Sequence, residues 1–200
     1  MSTKNPVLID IAEEIQTPRL YLRMPKAGDG RFFFEATSET PELSLWMPFA
    51  IPVLPGLDDC ELICRRNQAE FILRTALRFN VFSLEGRFIG CVAYPRINWS
   101  HRMFEIGYWI RSSESGKGYV TEMARALVQY AFDHLEGRRV EIKCNASNLK
   151  SRAVPERLGF NLEAISVNAD CVASPLIQNR DEAVYAMTNA GVLERTQLRF

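Results

Sequence analysis

The chain has 200 residues, 47% of them hydrophobic, and its 24 basic and 24 acidic side chains give a formal net charge of zero. This length and composition predict a single globular domain over residues 1–200, with a lead-in over 1–16 and a tail over 189–200. The balanced charge argues against a direct nucleic-acid or membrane-surface partner, because both kinds of binding usually require a basic excess.

The five cysteines and two histidines show no metal-ligand spacing. Cys60 and Cys64 lie four residues apart, but no second Cys or His pair completes a zinc site, so we expect no metal. Free thiols suit a reducing compartment. There is no signal-peptide pattern and no apolar run near the roughly 20 residues of a membrane helix, so we expect a cytoplasmic protein with no membrane partner.

The chain opens with a predicted strand, a helix and a loop. Apolar and polar residues alternate over 20–24, which predicts a strand, and apolar residues over 32–36 predict a helix. Residues 41–57 contain four prolines and are expected to form a loop.

A second helix and a hairpin are predicted next. Asp58 or Asp59 is expected to cap a helix that runs to about Phe79. A Glu-Gly dipeptide then separates two apolar runs, which is a signal for a tight hairpin. The strands of this hairpin are 81–84 and 87–94.

The second half of the chain predicts a strand over 103–110, a turn with two glycines and a long amphipathic helix. Apolar residues of this helix recur at a spacing of three to four and form a core-facing stripe. The stripe consists of Val120, Met123, Ala124, Leu127, Ala131 and Leu135. Later strands are expected over 139–144, 160–167 and 182–188. Strands mixed with crossover helices predict an α/β or α+β layer fold.

The most informative motif is Ser113-Glu114-Ser115-Gly116-Lys117-Gly118, which lies between the predicted strand over 103–110 and the long amphipathic helix. Glycines allow the backbone to approach a ligand closely, and a helix start offers free N–H groups and partial positive charge. We therefore expect an anion site suited to a pyrophosphate. Its donors would be the backbone N–H groups of Ser115, Gly116, Lys117, Gly118 and Tyr119. The Lys117 side chain either adds charge to the site or points into water.

Spacing separates three kinds of phosphate loop. A P-loop requires glycine at 111 and Ser or Thr at 118, where the chain has Arg111 and Gly118. A dinucleotide-binding fingerprint fits poorly, because Thr121 stands at the position of its third glycine. The motif resembles the Q/R-x-x-G-x-G/A acyl-CoA loop of the GNAT N-acetyltransferases, except that Ser113 replaces the leading Gln or Arg. Taken alone, the loop is also compatible with a plain helix start after a flexible turn.

Four more segments resemble the same family in the expected order, and specifically the branch that acetylates the N-termini of ribosomal proteins. They are the opening strand Thr17–Arg23, the W-x-P-aromatic segment Leu45–Phe49, the strand, N-x-x-S and L-G-F signature over Val140–Phe160, and the closing strand Asn179–Met187. The resemblance therefore extends from about Thr17 to Thr188. It implies a GNAT fold, with a mixed, mostly antiparallel sheet flanked by helices and with central parallel strands that splay to admit acetyl-CoA.

The resemblance also implies roles for residues along the acetyl-CoA arm. If the strand around Tyr108–Ile110 splays, its freed backbone can bind pantetheine, and the Ile110 N–H is a candidate oxyanion donor. Asn148 would bind the pantetheine arm, and Ser151 would lie near the thioester sulfur as a donor to the leaving group. The structural alternative is that Asn148 is only a helix N-cap and Ser151 only a polar residue of the first turn.

Glu105 is the candidate base. By strand alternation it shares a face with Gly107 and Trp109. There it either lies in a cleft and acts as a base, or it lies at the sheet edge or in a salt bridge. His101 is a weaker candidate. The aromatic side chains of Trp46 and Phe49 either form a wall of the acceptor pocket or simply plug the core.

The chemistry of amines favours one class of acceptor. An α-amine titrates near 7.7–8.0 and lysine near about 10.4, so a site with one carboxylate base suits an N-terminus better. We therefore predict an acetyl-CoA-dependent N-acetyltransferase that acts on a protein or peptide N-terminal α-amine, as a monomer or homodimer. The alternatives are a small-molecule amine such as an antibiotic or polyamine, or a non-catalytic CoA-binding module.

Overall fold

The computed structural model describes residues 5–46, 56–169 and 177–200, which form one eight-stranded sheet with helices on both faces. The strands are β1 (Glu14–Gln16), β2 (Leu20–Arg23), β3 (Leu77–Ser83), β4 (Phe88–Asn98), β5 (Met103–Ile110), β6 (Arg139–Asn145), β7 (Asn161–Ser166) and β8 (Glu182–Met187). The helices are α1 (Gly30–Ser38), α2 (Leu43–Trp46), α3 (Leu57–Leu73), α4 (Tyr119–His134) and α5 (Leu149–Leu158).

The sheet order is β1-β2-β3-β4-β5-β6-β8-β7, and among the strands of the described residues only β5 and β6 are parallel. All other neighbouring strands pair antiparallel. This confirms the predicted mixed, mostly antiparallel sheet.

The two parallel strands diverge at the centre of the sheet. Their register ends at the pair Ile106 and Ile142. Beyond that point β5 continues to Ile110 along β4 only, and β6 continues to Asn145 along β8 only. The structure therefore has the splayed central strands that the resemblance implied, and a cleft opens between them.

Two hydrophobic clusters hold the helices against the sheet. The larger cluster packs α4 and α5 against one face, and the α4 stripe contributes Met123, Ala124, Leu127, Ala131 and Leu135 as buried residues, with Val120 partly buried. The smaller cluster packs α1 and α3 against the other face around Trp109 of β5. The spacing of apolar residues in the α4 sequence thus predicted its core face correctly.

The predicted boundaries of the helix after the proline-rich loop are wrong. Gly56, not Asp58 or Asp59, is the N-cap of α3, and the Asp59 carboxylate instead accepts the Gly56 N–H at 3.0 Å. The helix ends at Leu73, because Arg74 adopts the left-handed conformation with φ of +60°. The chain then enters β3, so Phe79 lies in a strand.

The predicted loop over 41–57 contains a short helix, α2, and residues 47–55 lie outside the described residues. Strand β4 is longer than predicted and runs to Asn98. A register shift between Ala93 and Arg96 accommodates Pro95, which has no N–H for the ladder.

The tail contacts the edge of the sheet. Gln16 of β1 and Arg199 exchange two backbone hydrogen bonds of 2.9 and 3.0 Å. Across the described ranges, no helix is long and apolar enough to cross a membrane, and no group of three His, Cys, Asp or Glu side chains is arranged to hold a metal ion.

Candidate active site

The predicted anion loop lies where β5 leads into α4. A single 3-10 turn over Ser112–Glu114 follows the strand, and the two glycines of the loop both have φ of +80°. The Ser115 N–H donates to the Ser112 carbonyl at 3.1 Å, so this predicted donor is already occupied. Within the described part of the chain, no acceptor faces the N–H groups of Gly116, Lys117, Gly118 and Tyr119. These four consecutive unpaired groups at the helix start, which we call the cradle, are donors of the kind that an anion site requires.

The Lys117 side chain does not point freely into water. Its Nζ lies 2.8 Å from a carboxylate oxygen of Glu114, which is buried and also pairs with Arg87 at 2.8 Å. Arg87 comes from the β3–β4 hairpin, and its Nη2 also donates to Ser113 Oγ at 3.2 Å. A guanidinium therefore lies beside the serine that replaces the leading Gln or Arg of the family motif.

The backbone of β5 faces the cleft at alternate residues. The Arg111 N–H donates to the Ile89 carbonyl at 3.0 Å, which fixes the phase of the ladder with β4. Alternation then turns the N–H and C=O groups of Tyr108 and Ile110 away from β4 and toward the cleft, where no strand of the described residues pairs with them. The predicted oxyanion donor, Ile110, thus has its N–H directed into the opening.

The start of α5 lies at the other wall of this opening. Asn148 is the N-cap of α5, with its Oδ1 accepting the Ser151 N–H at 3.1 Å. The structural alternative for Asn148 is therefore present, although its amide nitrogen has no acceptor among the described residues. The Tyr108 hydroxyl donates to the Ser151 carbonyl at 2.9 Å, and Ser151 Oγ lies 3.4 Å from the same hydroxyl.

Sequence reasoning considered only the backbone around Tyr108 and missed its hydroxyl as a candidate site group. Strand alternation was a usable signal, because it places Tyr108 on the face of Phe104 and Ile106, under α4 and α5. Burial raises the pKa of the Tyr108 hydroxyl well above its usual value, so the group stays protonated at neutral pH and can donate a hydrogen bond.

A second tyrosine fixes α5 over β6 and β8. The Tyr185 hydroxyl accepts from Arg152 Nε at 2.9 Å and donates to the Glu156 carboxylate at 2.7 Å. Arg152 also donates to the Ala146 carbonyl at 3.1 Å. Cys144, at the end of β6, packs against the larger core cluster.

Glu105 lies in the fifth of eight strands and not at a sheet edge. Its carboxylate is 12% exposed and pairs with Arg96 at 2.5 Å and with Lys143 at 3.4 Å. The salt-bridge alternative is therefore present. Glu105 also lies one residue before the last paired residue, Ile106, on the face opposite α4 and α5, and so borders the start of the cleft. His101 lies in the β4–β5 turn, about 20 Å along the strand from Tyr108, and the structure does not bring it to the cleft.

The connection after α1 is attached to the anion loop. Arg111 is buried and makes two hydrogen bonds to the Glu39 carboxylate, at 2.8 and 3.2 Å. The Ser112 N–H donates to Thr40 Oγ1 at 3.1 Å. The short helix that follows ends at Trp46, which is partly buried, while Phe49 lies outside the described residues.

The family model of the acetyltransferase (GNAT) domain matches residues 19–161. The chain is 45% identical over 76 residues to a Bacillus subtilis protein named "Putative ribosomal N-acetyltransferase YdaF", a match covering 38% of this chain and 42% of that protein. It is 35% identical over 95 residues to the ribosomal-protein-serine acetyltransferase of Escherichia coli, with coverage of 48% and 52%. The chain thus spans about half the length of these curated relatives. A RimL ribosomal alpha-N-protein acetyltransferase in complex with coenzyme A has the same fold, with a TM-score of 0.80, 20% identity and coverage of 89% and 99%.

Proposed function

We propose that this chain, which belongs to the GNAT acetyltransferase family, transfers an acetyl group directly from acetyl-CoA to the N-terminal α-amine of a protein or peptide. The observation that carries the proposal is the continuity of one strand, β5. It leads from the carboxylate of Glu105, along the open cleft edge at Tyr108 and Ile110, to the anion cradle at Gly116.

The cleft and cradle match the two halves of a CoA thioester. The N–H groups from Gly116 to Tyr119 can hold the pyrophosphate, because they are unpaired and lie at a helix N-terminus. The backbone groups of Tyr108 and Ile110 can pair with the pantetheine amides as a missing strand would. The amide nitrogen of Asn148 is a further donor on the opposite wall.

Direct transfer needs three contributions from these residues. The Ile110 N–H stabilises the oxyanion when the amine attacks the thioester carbonyl. Glu105 accepts, directly or through one water, the proton that the amine loses as the C–N bond forms. As the C–S bond breaks, the Ser151 hydroxyl donates a hydrogen bond to the departing sulfur, which leaves as the CoA thiolate and takes its proton from solvent. The Tyr108 hydroxyl, which donates to the Ser151 carbonyl, holds Ser151 in position.

An N-terminal α-amine is the favoured acceptor. Its pKa of about 7.7–8.0 leaves roughly a tenth of it neutral near pH 7, against well below a thousandth of a lysine. A single, ion-paired carboxylate is therefore sufficient for an α-amine. The names of two relatives, the ribosomal-protein-serine acetyltransferase of Escherichia coli and the "Putative ribosomal N-acetyltransferase YdaF" of Bacillus subtilis, support the same acceptor class.

The test is CoA-thiol release from acetyl-CoA with a panel of acceptors, run beside calorimetric titration of CoA. The panel contains peptides with free Ser, Ala or Met N-termini, N-blocked lysine peptides, polyamines and aminoglycosides. Turnover with the free N-terminal peptides alone supports the proposal. Turnover only with small amines would mean that the acceptor is a small molecule and not a protein N-terminus. CoA binding without any turnover would mean that the chain is a non-catalytic CoA-binding module.

A further inference from the structure

The turn between β1 and β2 contacts the anion loop through Arg19. Its Nη1 donates to the Lys117 carbonyl at 3.0 Å, and its Nε donates to the Glu122 carboxylate at 2.6 Å. The guanidinium also lies 4.8 Å from the ring centroid of Tyr119. One side chain therefore contacts the loop, the first helical residue and the first turn of α4, from 98 positions away in the sequence.

The contact with Glu122 balances the charge beside the cradle. The Glu122 side chain is only 10% exposed, and its Oε1 accepts from Thr17 Oγ1 at 2.7 Å and from the Arg19 N–H at 3.1 Å. A carboxylate in a first helical turn stabilises the helix but repels an anionic ligand at the same place. Arg19 neutralises this carboxylate, as Lys117 and Arg87 neutralise Glu114. Three cations thus face two carboxylates around the loop.

The contact with Lys117 orients one donor of the cradle. In a trans peptide the C=O and the following N–H point in opposite directions. Because Arg19 holds the Lys117 carbonyl on its own side, the Gly118 N–H is directed to the other side. Gly118 has φ of +80°, which favours glycine, and a Cβ there would lie 3.5 Å from Arg19 Nη2, an ordinary van der Waals distance.

We infer that Arg19 is a positioning residue for the pyrophosphate of acetyl-CoA, which it serves by orienting the Gly118 N–H and by cancelling the charge of Glu122. This inference rests on the proposed function, because it requires that the loop bind CoA. It gives the Thr-Pro-Arg-Leu segment at 17–20, which precedes the loop by about 100 residues, a direct connection to the cofactor end of the site.

A contact of Arg19 that only stabilises the fold would have a different effect on binding from one that positions the pyrophosphate. S-acetylpantetheine carries the same thioester as acetyl-CoA but lacks the pyrophosphate. Loss of a positioning residue weakens the binding of only the substrate that carries the phosphates, whereas general destabilisation of the protein affects the binding of both substrates equally. The ratio of the two KM values therefore separates the two roles.

The experiment compares the wild type with Arg19→Gln and Arg19→Lys, using both thioesters. We expect Arg19→Gln to raise KM for acetyl-CoA about tenfold or more, since charge-assisted hydrogen bonds are lost, and to change KM for S-acetylpantetheine less than twofold. Arg19→Lys keeps the positive charge but lacks the planar guanidinium, so its KM for acetyl-CoA should lie between those of the wild type and Arg19→Gln. Arg195→Gln is the matched control, because Arg195 pairs with Asp133 at the far end of α4 and should leave both KM values unchanged.

Equal changes for both thioesters, or none for acetyl-CoA, would overturn the positioning role. Calorimetric titration of CoA and of pantetheine on the same variants gives the comparison without turnover, and Tm shows whether each variant is folded. If the wild type binds no CoA, the proposed function fails together with this inference. If the wild type binds CoA and Arg19→Gln binds it equally well, only the inference fails.

Discussion

The hydroxyl of Tyr108 lies 2.9 Å from the carbonyl oxygen of Ser151 and 3.4 Å from its Oγ, although 43 positions separate the two residues. This contact joins the strand at one wall of the cleft to the helix at the other wall. It places two hydroxyl groups together at the point where the strands β5 and β6 have diverged. The Ser151 hydroxyl, held in position by Tyr108, is the most direct candidate for stabilising the departing sulfur.

Replacing the two hydroxyl groups should lower kcat non-additively. We expect Ser151→Ala to reduce kcat for acetyl transfer by about 10- to 100-fold, the range for a donor to a charged group, and Tyr108→Phe to reduce it less. Because the groups touch, the double variant should lose less than the sum of the two free-energy effects. Steady-state kinetics of the four proteins measure this coupling. A wild-type kcat for Ser151→Ala would remove this residue from the mechanism.

Gly118→Asp should abolish binding of acetyl-CoA. The substitution places a Cβ at a φ of +80° and a negative charge in the cradle of free N–H groups. Gly118→Asn is the matched control, because asparagine has nearly the same shape, tolerates the left-handed conformation better and carries no charge. Calorimetry should find weaker but measurable CoA binding for Gly118→Asn. Unchanged affinity of Gly118→Asp would contradict the assignment of the loop.

Glu105→Gln should slow acetyl transfer, most strongly at low pH where the neutral amine is scarce, without changing the affinity for acetyl-CoA. The expected loss in kcat is about 100-fold or more, the usual contribution of a general base. Glu141→Gln is the control, since Glu141 pairs with the same Lys143, at 3.0 Å, and lies on the neighbouring strand. A pH–rate profile of Glu105→Gln that matches the wild type would exclude Glu105 as the base.

Asp29 should make the fold sensitive to acid. Burial raises the pKa of this carboxyl, but hydrogen bonds from Arg23, Lys26 and Asn80 outweigh burial and hold the pKa below its usual value. A folded pKa below the unfolded one gives stability that is present above about pH 4 and is lost as pH falls through the folded value.

The variant Asp29→Asn tests whether the low pKa of Asp29 makes the stability of the fold depend on pH. Asp29→Asn should lower the free energy of unfolding by about 3 kcal/mol at pH 7, because it removes the carboxylate that pairs directly with the mostly buried Arg23. The difference from the wild type should shrink as pH falls below about 4. Asp133→Asn, which breaks a more exposed pair, should cost less than about 1 kcal/mol. Urea unfolding at several pH values measures both variants, and a pH-independent effect of Asp29→Asn would contradict the linkage.

Local periodicity predicted the parts of this fold that depend on neighbouring residues. The α4 stripe follows from apolar residues three to four apart, and the loop follows from two glycines before a helix. The end of α3 did not follow, because Arg74 adopts a left-handed conformation that the sequence does not mark. A non-glycine residue in that conformation is set by its surroundings, not by its own preference.

The part of the candidate site that one short segment supplies could be predicted from the sequence, and the contacts between distant segments could not. The unpaired N–H groups from Gly116 to Tyr119 lie where the loop motif indicates, whereas the contacts of Arg19 with Glu122 and of Tyr108 with Ser151 span 103 and 43 positions. Such contacts depend on the sheet order and on the phase of each strand. The alternation within a strand is a local pattern, but the sheet order is not.

The most direct test of the proposed reaction is the position of the acetyl group on one peptide that offers two amines. The peptide has a free N-terminal serine and one internal lysine, and tandem mass spectrometry locates the label after incubation with acetyl-CoA. The proposed function predicts acetylation of the α-amine with the lysine unmodified. Acetylation of the lysine, or of neither amine while CoA binds, would contradict it.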